Sequence, residues 1–133
     1  MLSISKGLPP ILSCSPEASL FRAVVDMVKM RSGAMMVCDS NGDTVGIVTE
    51  RDVLDKHPFD VGVSRKMKVT DIMTPSSRLV TAPSSSTLDQ CIKMMHTRHL
   101  RHLPIVEGDD TKGLLSMRYI AQVPISVMTY SSV

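Results

Sequence analysis

The sequence predicts a mixed α/β fold made of two copies of one strand–helix–strand–strand–helix unit. The first observation behind this prediction is an internal repeat. Shifting the 133-residue chain by 68 positions places Leu20 on Leu88, and after the hairpin a shift of 67 places Gly46 on Gly113. The second observation is that helical and strand-like apolar patterns alternate in the same order in both copies. Two copies are too few for a solenoid, so we expect a pair related by a pseudo-twofold axis.

Each copy opens with a short extended run, at Ile11–Cys14 and at Leu79–Ala82, followed by a turn rich in Ser and Pro. Apolar residues at i, i+4 and i+7 then predict a helix with one buried face. Its stripe is Leu20, Val24, Met27 and Val28 in the first copy and Leu88, Ile92 and Met95 in the second. Ser19 and Ser86 are the expected N-caps because a hydroxyl accepts from the unpaired amides of the first turn.

Two strands joined by a hairpin follow the helix in each copy. In the first copy they are Ala34–Cys38 and Thr44–Thr49, around a turn whose Asn-Gly step favours a hairpin. In the second copy they are His102–Val106 and Lys112–Ser116. A short second helix is predicted near Glu50 in the first copy and near Met117 in the second.

The repeat also sets the predicted domain organisation. Residues 1–66 form the first repeat with its linker, and residues 67–133 form the second repeat with a C-terminal tail. The link between copies is expected over 58–68. The tail, 124–133, begins at a helix-breaking proline and is β-prone, so its sequence is that of an extended segment. Pairing with a strand, of this chain or a partner, and disorder are the two alternatives for it.

Composition and charge argue against nucleic-acid-binding, membrane-spanning and secreted classes of protein. The chain has 15 basic and 13 acidic residues, a net charge of +2, which is no basis for strong nucleic-acid binding. No apolar run approaches the roughly 18 residues needed to span a bilayer, and the first ten residues lack a signal-peptide core. We therefore expect a cytoplasmic protein, or an organellar one if a targeting segment is missing. The three cysteines form no C-x-x-C pair, so reduced thiols are expected.

Three motifs in the predicted order carry a family resemblance. Residues 46–52 read Gly-Ile-Val-Thr-Glu-Arg-Asp, an apolar strand end followed by T-x-x-D at a strand-to-helix junction. Residues 69–74, Val-Thr-Asp-Ile-Met-Thr, open the second copy, and 101–106, Arg-His-Leu-Pro-Ile-Val, precede its hairpin. Together they resemble a tandem pair of CBS domains, a Bateman module, over roughly residues 8–123. The chain is similar to small stand-alone CBS-domain proteins.

The resemblance implies two βαββα repeats packed through their sheets, with two clefts between them. It implies an adenine ligand such as AMP, ADP, ATP, S-adenosylmethionine or NAD, bound as a ligand and not as a cofactor. It also implies a homodimer and a regulatory role toward an unknown partner protein, with no catalytic residues. An alternative is a structural dimerisation or interaction module with degenerate clefts.

The T-x-x-D motif has two interpretations. Thr49 and Asp52 have the spacing of a capping box, in which hydroxyl and carboxylate each accept from the other residue's amide. The functional interpretation is that the Asp52 carboxylate accepts hydrogen bonds from two ribose hydroxyls, which suits a group that offers only acceptors. The two roles are partly compatible, and the repeat context favours ribose binding.

By resemblance, the remaining contacts of this first cleft come from both copies. Apolar walls for adenine are expected from Ile47, Leu79, Val80 and Leu100, and phosphate contacts from Arg101, His102 and Arg118. Guanidinium groups pair well with phosphate oxygens through charge-assisted hydrogen bonds.

The second cleft departs from the family pattern because Tyr119 stands where Asp52 stands in the first copy. A phenol cannot replace the two-pronged carboxylate, so this cleft is expected to be closed. Its residues would be Ile11, Leu12, Ala34, Arg51, Ser116 and Tyr119.

The histidine-rich run 96–102 allows other functions. His96 and His99 lie three apart on a helix, yet no acidic or thiol partner lies nearby in sequence, so metal binding is not expected. RNA binding is a weaker alternative because aromatic stacking residues are scarce. A cationic helix end that complements the helix dipole accounts for the run without a ligand.

Overall fold

The computed structural model describes residues 8, 10–56 and 65–122. These residues separate into two compact units, one spanning 11–79 and one containing 80–122 together with Leu8 and Pro10. The predicted tail at 124–133 and most of the predicted linker lie outside the described residues.

Two α-helices and a four-stranded sheet make up the regular structure of the first unit in 11–56 and 67–79. Its elements are β1 (Ser13–Cys14), α1 (Leu20–Lys29), β2 (Ala34–Cys38), β3 (Thr44–Thr49), α2 (Glu50–Lys56), a 3-10 turn at Val69–Asp71, β4 (Thr74–Pro75) and a 3-10 turn at Ser76–Arg78. The strand order is β1-β2-β3-β4, with β1 parallel to β2 and the other neighbours antiparallel.

The second unit repeats this arrangement. Its elements are β5 (Ala82–Pro83), α3 (Leu88–Arg98), β6 (His102–Glu107), β7 (Asp110–Ser116) and α4 (Met117–Gln122). The strands lie in the order β5-β6-β7, with β5 parallel to β6 and β6 antiparallel to β7. The predicted mixed α/β class and its two repeats are confirmed.

Strand register shows how closely the two copies correspond. In each sheet one residue of the first strand, one of the second and the glycine of the third are aligned across the ladder, and the register shifts one residue later along the second strand. The aligned trios are Cys14, Val37, Gly46 and Ala82, Ile105, Gly113. The residue lost between the copies therefore falls in the hairpin, where the change of shift predicted it.

One expected cap is wrong. Ser19 caps α1, since its Oγ accepts from the Arg22 amide at 3.1 Å. The N-cap of α3 is Thr87, not Ser86. Thr87 Oγ1 accepts from the Gln90 amide at 3.2 Å, and Gln90 Oε1 accepts from the Thr87 amide at 3.0 Å. Only Thr87 has a glutamine three residues on, so only it forms this reciprocal pair.

The second hairpin is tighter than predicted. β6 continues to Glu107 and β7 begins at Asp110, which leaves Gly108 and Asp109 as the loop. Gly108 has φ 61, a backbone conformation that glycine adopts without steric cost. The strands extend because a two-residue turn closes the ladder without the longer loop that the polar sequence suggested.

Each unit has its own aliphatic core between its sheet and its helices. The buried residues of the first core are Leu20, Ala23, Met27, Met35, Val37, Val48, Val69 and Ile72. Those of the second are Ala82, Leu88, Cys91, Met95, Leu103, Ile105, Leu115 and Ile120. Leu20 and Met27 of the first predicted stripe and Leu88 and Met95 of the second belong to these cores, and Val24 and Ile92 pack against them. The placement of Val28 in the first stripe is wrong, since Val28 is 71% exposed. Across the described residues no helix has the length and apolar character that crossing a membrane requires.

The unit boundary lies later in the chain than the sequence repeat because β4 joins the first sheet. Thr74 pairs with Ile47, and Pro75 pairs with Gly46. A Cβ on Gly46 would lie 2.7 Å from both the Met73 Sδ and the Thr74 carbonyl oxygen. At the equivalent Gly113 the nearest atoms belong to Leu8. In both units, then, this glycine makes room for a segment that comes from outside its own repeat.

Candidate functional site

The candidate site is built on the junction between β3 and α2. Thr49 is the last residue of β3 and lies opposite Ala34, the first residue of β2. The Glu50 amide donates to the Gly33 carbonyl oxygen at 2.9 Å. This bond holds the first turn of α2 against the start of β2, so the junction has a defined geometry.

Thr49 and Asp52 form the full capping box. Asp52 Oδ2 accepts from the Thr49 amide and from the Thr49 hydroxyl, both at 3.0 Å. The Asp52 amide donates to Thr49 Oγ1 at 3.2 Å. The capping interpretation of the motif is therefore confirmed. The same bonds hold the carboxylate in one orientation, as a ribose-binding acceptor would need.

A lysine that the sequence reasoning did not single out completes this network. Lys56 Nζ lies 3.2 Å from Asp52 Oδ1 and donates to the Ile72 carbonyl oxygen at 3.0 Å. The Asp52 side chain is 13% exposed and that of Lys56 is 43% exposed. The i, i+4 spacing of aspartate and lysine on a predicted helix is the signal that identifies the pair. Nothing in the local sequence indicates the bond to Ile72.

The second unit keeps the backbone frame of this junction and loses its carboxylate. The Met117 amide donates to the Arg101 carbonyl oxygen at 3.0 Å, the counterpart of the Glu50–Gly33 bond. Ser116 Oγ accepts from the Tyr119 amide at 3.0 Å, so half of the capping box is present. His102 lies opposite Ser116 in the ladder. The acidic acceptor therefore exists in the first unit and not at the equivalent position of the second.

Several predicted site residues share one face of each sheet. Side chains alternate between the two faces of a strand, and the residues between them belong to the helix-covered cores. In the first unit Ile47 and Thr49 lie on the face away from its core, beside Ala34, and Ile47 is buried. In the second unit His102 and Ser116 occupy the corresponding face. The two predicted clefts thus draw on equivalent surfaces.

The structure places the other predicted residues as follows. Leu12 accepts from the Met36 amide through its carbonyl oxygen at 2.9 Å. Val80 and Leu100 pack against the second core. Arg51 pairs with Asp55 on the exposed side of α2 at 3.6 Å.

Of the predicted site residues, the first unit contains Ile11, Leu12, Ala34, Ile47, Thr49, Arg51, Asp52 and Leu79, and the second contains Val80, Leu100, Arg101, His102, Ser116, Arg118 and Tyr119. Their assignment to two ligand clefts stays a prediction.

Within residues 10–56 and 65–122, with Leu8, no group of three or more His, Cys, Asp or Glu side chains could hold a metal ion. His96 lies in the last turn of α3, and His99 follows that helix with φ 56. Both side chains are exposed. Their position at a helix C-terminus fits the favourable interaction of cations with the helix dipole.

The core thiols are poor nucleophiles. Burial raises the pKa of the Cys91 thiol from 9.0 to about 11. Burial, with the nearby Cys38 and Asp26, raises the pKa of Cys14 to about 11 as well. Because the thiolate is the reactive form, these cysteines are inert near neutral pH.

Two βαββα units define a tandem CBS pair. Each has its own sheet with helices, and a glycine at the same ladder position, Gly46 or Gly113. The CBS domain model matches the chain twice, over residues 6–57 and 69–125. The chain belongs to the CBS-domain family.

Curated relatives match the chain over most of its length. An inosine-5'-monophosphate dehydrogenase from Staphylococcus saprophyticus is 32% identical over 111 residues, which cover 82% of this chain and 21% of the dehydrogenase. The mitochondrial CBS domain-containing protein CBSX3 of Arabidopsis thaliana is 29% identical over 119 residues, covering 88% of this chain and 56% of that protein. The chain thus spans only part of the length of these relatives.

Solved structures share the fold. A CBS-domain-containing protein from Agrobacterium tumefaciens is 27% identical with a TM-score of 0.76, and the match covers 88% of this chain and 85% of that one. A CBS domain protein from Pyrobaculum aerophilum, complexed with AMP, is 18% identical with a TM-score of 0.80, covering 99% and 100%. The CBS domain pair of protein MJ0100, in complex with 5'-methylthioadenosine and S-adenosylmethionine, is 19% identical with a TM-score of 0.74, covering 91% and 94%.

Proposed function

We propose that this chain is a regulatory module that binds an adenine nucleotide and modulates a partner protein without catalysing a reaction. The observation that carries the proposal is the Asp52 carboxylate. It is mostly buried, oriented by two hydrogen bonds from Thr49, and located at the strand-to-helix junction of a CBS repeat. A fixed carboxylate is suited to accept from the vicinal hydroxyls of a ribose.

The ligands of structural neighbours support an adenosine-containing molecule. The Pyrobaculum protein is complexed with AMP, and MJ0100 with 5'-methylthioadenosine and S-adenosylmethionine. These three molecules share adenine and ribose and differ at the 5' position, where methylthioadenosine carries no phosphate. Recognition of the shared adenosine is therefore the coarser proposal, and a preference among 5' groups is the finer one.

The finer proposal assigns the remaining contacts. Adenine would lie against the aliphatic side chains of Ile47, Leu79, Val80 and Leu100, because the chain has few aromatic residues to stack on it. A 5' phosphate would be met by Arg101, His102 and Arg118, whose side chains supply the cationic donors that phosphate oxygens prefer.

We further propose that the module binds ribose through its first repeat only. The second repeat offers Tyr119 in place of the carboxylate, and its amide is bound to Ser116. A phenol has a single oxygen, so it cannot accept from both ribose hydroxyls in the way that the two oxygens of a carboxylate can. We therefore expect a stoichiometry of one nucleotide per chain.

Calorimetry tests this proposal. Adenosine, AMP, ATP and S-adenosylmethionine are titrated into the wild type and into Asp52→Asn, which keeps the size of the side chain and removes its charge. We expect the variant to bind about ten- to a hundredfold more weakly, because hydrogen bonds to a charged group contribute about 1.5–3 kcal/mol. Asp89→Asn is the matched control, since Asp89 also pairs with a lysine four residues on, at 3.1 Å. Absence of wild-type binding below millimolar concentration contradicts the proposal.

The exposed face of α1 favours a second candidate function, that of an interaction module. Phe21 is 64% exposed and Val28 is 71% exposed on this helix. Their counterparts on α3, 68 residues later, are Asp89 and His96. Since the same position in the equivalent helix is charged or polar, the apolar face is a feature of the first repeat alone.

A homodimer through this face stays a prediction. It is tested by light scattering on the wild type and on Phe21→Asp, with Asp89→Ala as the control. We expect the wild type to be dimeric and Phe21→Asp to dissociate. A monomeric wild type contradicts this candidate and leaves nucleotide binding untouched.

The proposed location is the cytoplasm or an organelle. The Arabidopsis relative is named as mitochondrial, which accords with the organelle option. The dehydrogenase similarity supplies no catalytic proposal, because this chain covers 21% of that enzyme.

A further inference from the structure

We propose that Lys56 competes with the ribose for Asp52 and so couples occupancy of the nucleotide site to the segment 69–75, which we call the connector. This inference rests on the proposed function, since it concerns the same carboxylate. It makes Lys56 a positioning residue whose release accompanies ligand binding.

The first step in the argument is the acceptor capacity of Asp52. A carboxylate has about four lone-pair sites, two on each oxygen. The Thr49 amide and hydroxyl use both sites of Oδ2, and Lys56 Nζ lies against Oδ1 at 3.2 Å. About one lone-pair site of the carboxylate therefore remains, whereas the two hydroxyl groups of a ribose need two. The capping bonds hold the first turn of α2, so the bond to Lys56 is the one that can be exchanged at least cost.

The second step is the other bond that Lys56 makes. Its Nζ donates to the Ile72 carbonyl oxygen at 3.0 Å, and this carbonyl belongs to the connector. The Ile72 side chain is 2% exposed in the first core. Two residues later Thr74 pairs with Ile47 of β3, and the chain then continues to Val80, where the second unit begins. Lys56 therefore ties the predicted ribose acceptor directly to the backbone that leads to the second unit.

The third step is that the shared carboxylate of the Asp52–Lys56 pair belongs to the first repeat. The position equivalent to Asp52 in the second repeat is Tyr119, which has no carboxylate for a lysine to share. The other Asp–Lys pair of matching geometry, Asp89 with Lys93 at 3.1 Å, lies on α3, and its lysine side chain is 75% exposed. That pair has the same spacing and charge and a different environment, so it is a matched control.

The experiment compares Lys56→Met and Lys93→Met with the wild type by calorimetry. Methionine keeps the length of the lysine and removes its charge. Adenosine is the main probe because it is uncharged and reports the ribose contact without phosphate attraction, and AMP is the second probe. We expect Lys56→Met to bind adenosine about two- to fivefold more tightly, the range set by the loss of one partly exposed ion pair. Lys93→Met is expected to match the wild type.

Hydrogen exchange supplies a readout that affinity alone does not. In the wild type, saturating adenosine is expected to raise amide exchange at Ile72 and Met73. Both amides donate to the Val69 carbonyl oxygen, and the connector opens more often once the lysine no longer holds the Ile72 carbonyl. In Lys56→Met these amides are expected to exchange at the raised rate before adenosine is added. Urea unfolding of each variant checks that the first core is intact.

The outcomes separate this inference from the proposed function. If the wild type binds none of the nucleotides, the proposed function and the Lys56 coupling are both overturned. If the wild type binds and Asp52→Asn weakens binding, but Lys56→Met leaves adenosine affinity and connector exchange unchanged, the coupling is overturned and the nucleotide function stands. If Lys56→Met weakens AMP and leaves adenosine unchanged, Lys56 contacts the phosphate and the competition is overturned.

Discussion

A methyl group added at Gly46 tests how the connector is seated on the first sheet. The new Cβ would lie 2.7 Å from the Thr74 carbonyl oxygen, a backbone atom of β4, and 2.7 Å from the Met73 Sδ. The sulfur can move with its flexible side chain, but the carbonyl can move only if the pairing of β4 with β3 shifts. Overpacking of this kind costs about 1–3 kcal/mol. Replacing glycine by alanine also restricts the unfolded chain, which returns about 0.4–1 kcal/mol.

We therefore expect Gly46→Ala to lower the free energy of unfolding by about 1–2 kcal/mol. With a denaturant slope of about 1–3 kcal/mol per molar urea, the midpoint falls by about 0.5–1.5 M. The internal repeat supplies the control. At Gly113 the close atoms belong to the Leu8 side chain, which can rotate away, so Gly113→Ala should cost less.

The assay is urea unfolding followed by circular dichroism on the wild type and both alanine variants. An unchanged midpoint for Gly46→Ala would refute the close approach of the connector. A midpoint loss for Gly113→Ala that equals or exceeds that for Gly46→Ala would refute the distinction between backbone and side-chain neighbours. Nucleotide titration of Gly46→Ala then shows whether a displaced connector also changes affinity.

Three further predictions concern stability. Thr87→Ala should lower the free energy of unfolding by about 1 kcal/mol through loss of the α3 cap, whereas Ser86→Ala should cost clearly less; equal losses would contradict the cap assignment. His99→Gly should raise thermal stability slightly, because φ 56 strains a residue with a Cβ, and a lower melting temperature would contradict this. Stability should be full below pH 9 and fall as pH rises toward 11, because the folded pKa values of Cys14 and Cys91, about 11, exceed the unfolded value of 9.0. Urea unfolding at pH 8 and pH 10.5 measures this fall, and the Cys14→Ala/Cys91→Ala variant, whose fall should be smaller, is the control.

The internal repeat made the order and positions of the helices and strands predictable from the sequence. The shift of 68 that placed Leu20 on Leu88 also placed two buried helix starts on each other, and the shift of 67 aligned two glycines with the same ladder position. The misplaced cap shows the limit of local pattern. Ser86 and Thr87 are both acceptable N-caps, and the reciprocal bond from Gln90 decides between them.

The sequence alone did not decide between the two interpretations of the T-x-x-D motif. Its spacing allowed both a capping box and a ribose acceptor, and the capping box is present. Lys56 was within reach of sequence reasoning as an i, i+4 partner of Asp52. The bond from Lys56 to the Ile72 carbonyl was not, because sixteen residues separate the two and no local rule places them together.

The sequence by itself determined the class of the fold, the presence of two copies, the order of their elements and the absence of a carboxylate at Tyr119. These follow from short-range physics: the helical and strand periodicities, the turn preference of Asn-Gly, and the three-residue spacing of a capping box. Only the tertiary structure decided that the connector pairs with β3, that Gly46 is needed for its approach, and that Lys56 also donates to the Ile72 carbonyl oxygen. Those features depend on contacts between distant segments, whose geometry is set by the packing of the whole unit and not by any local pattern.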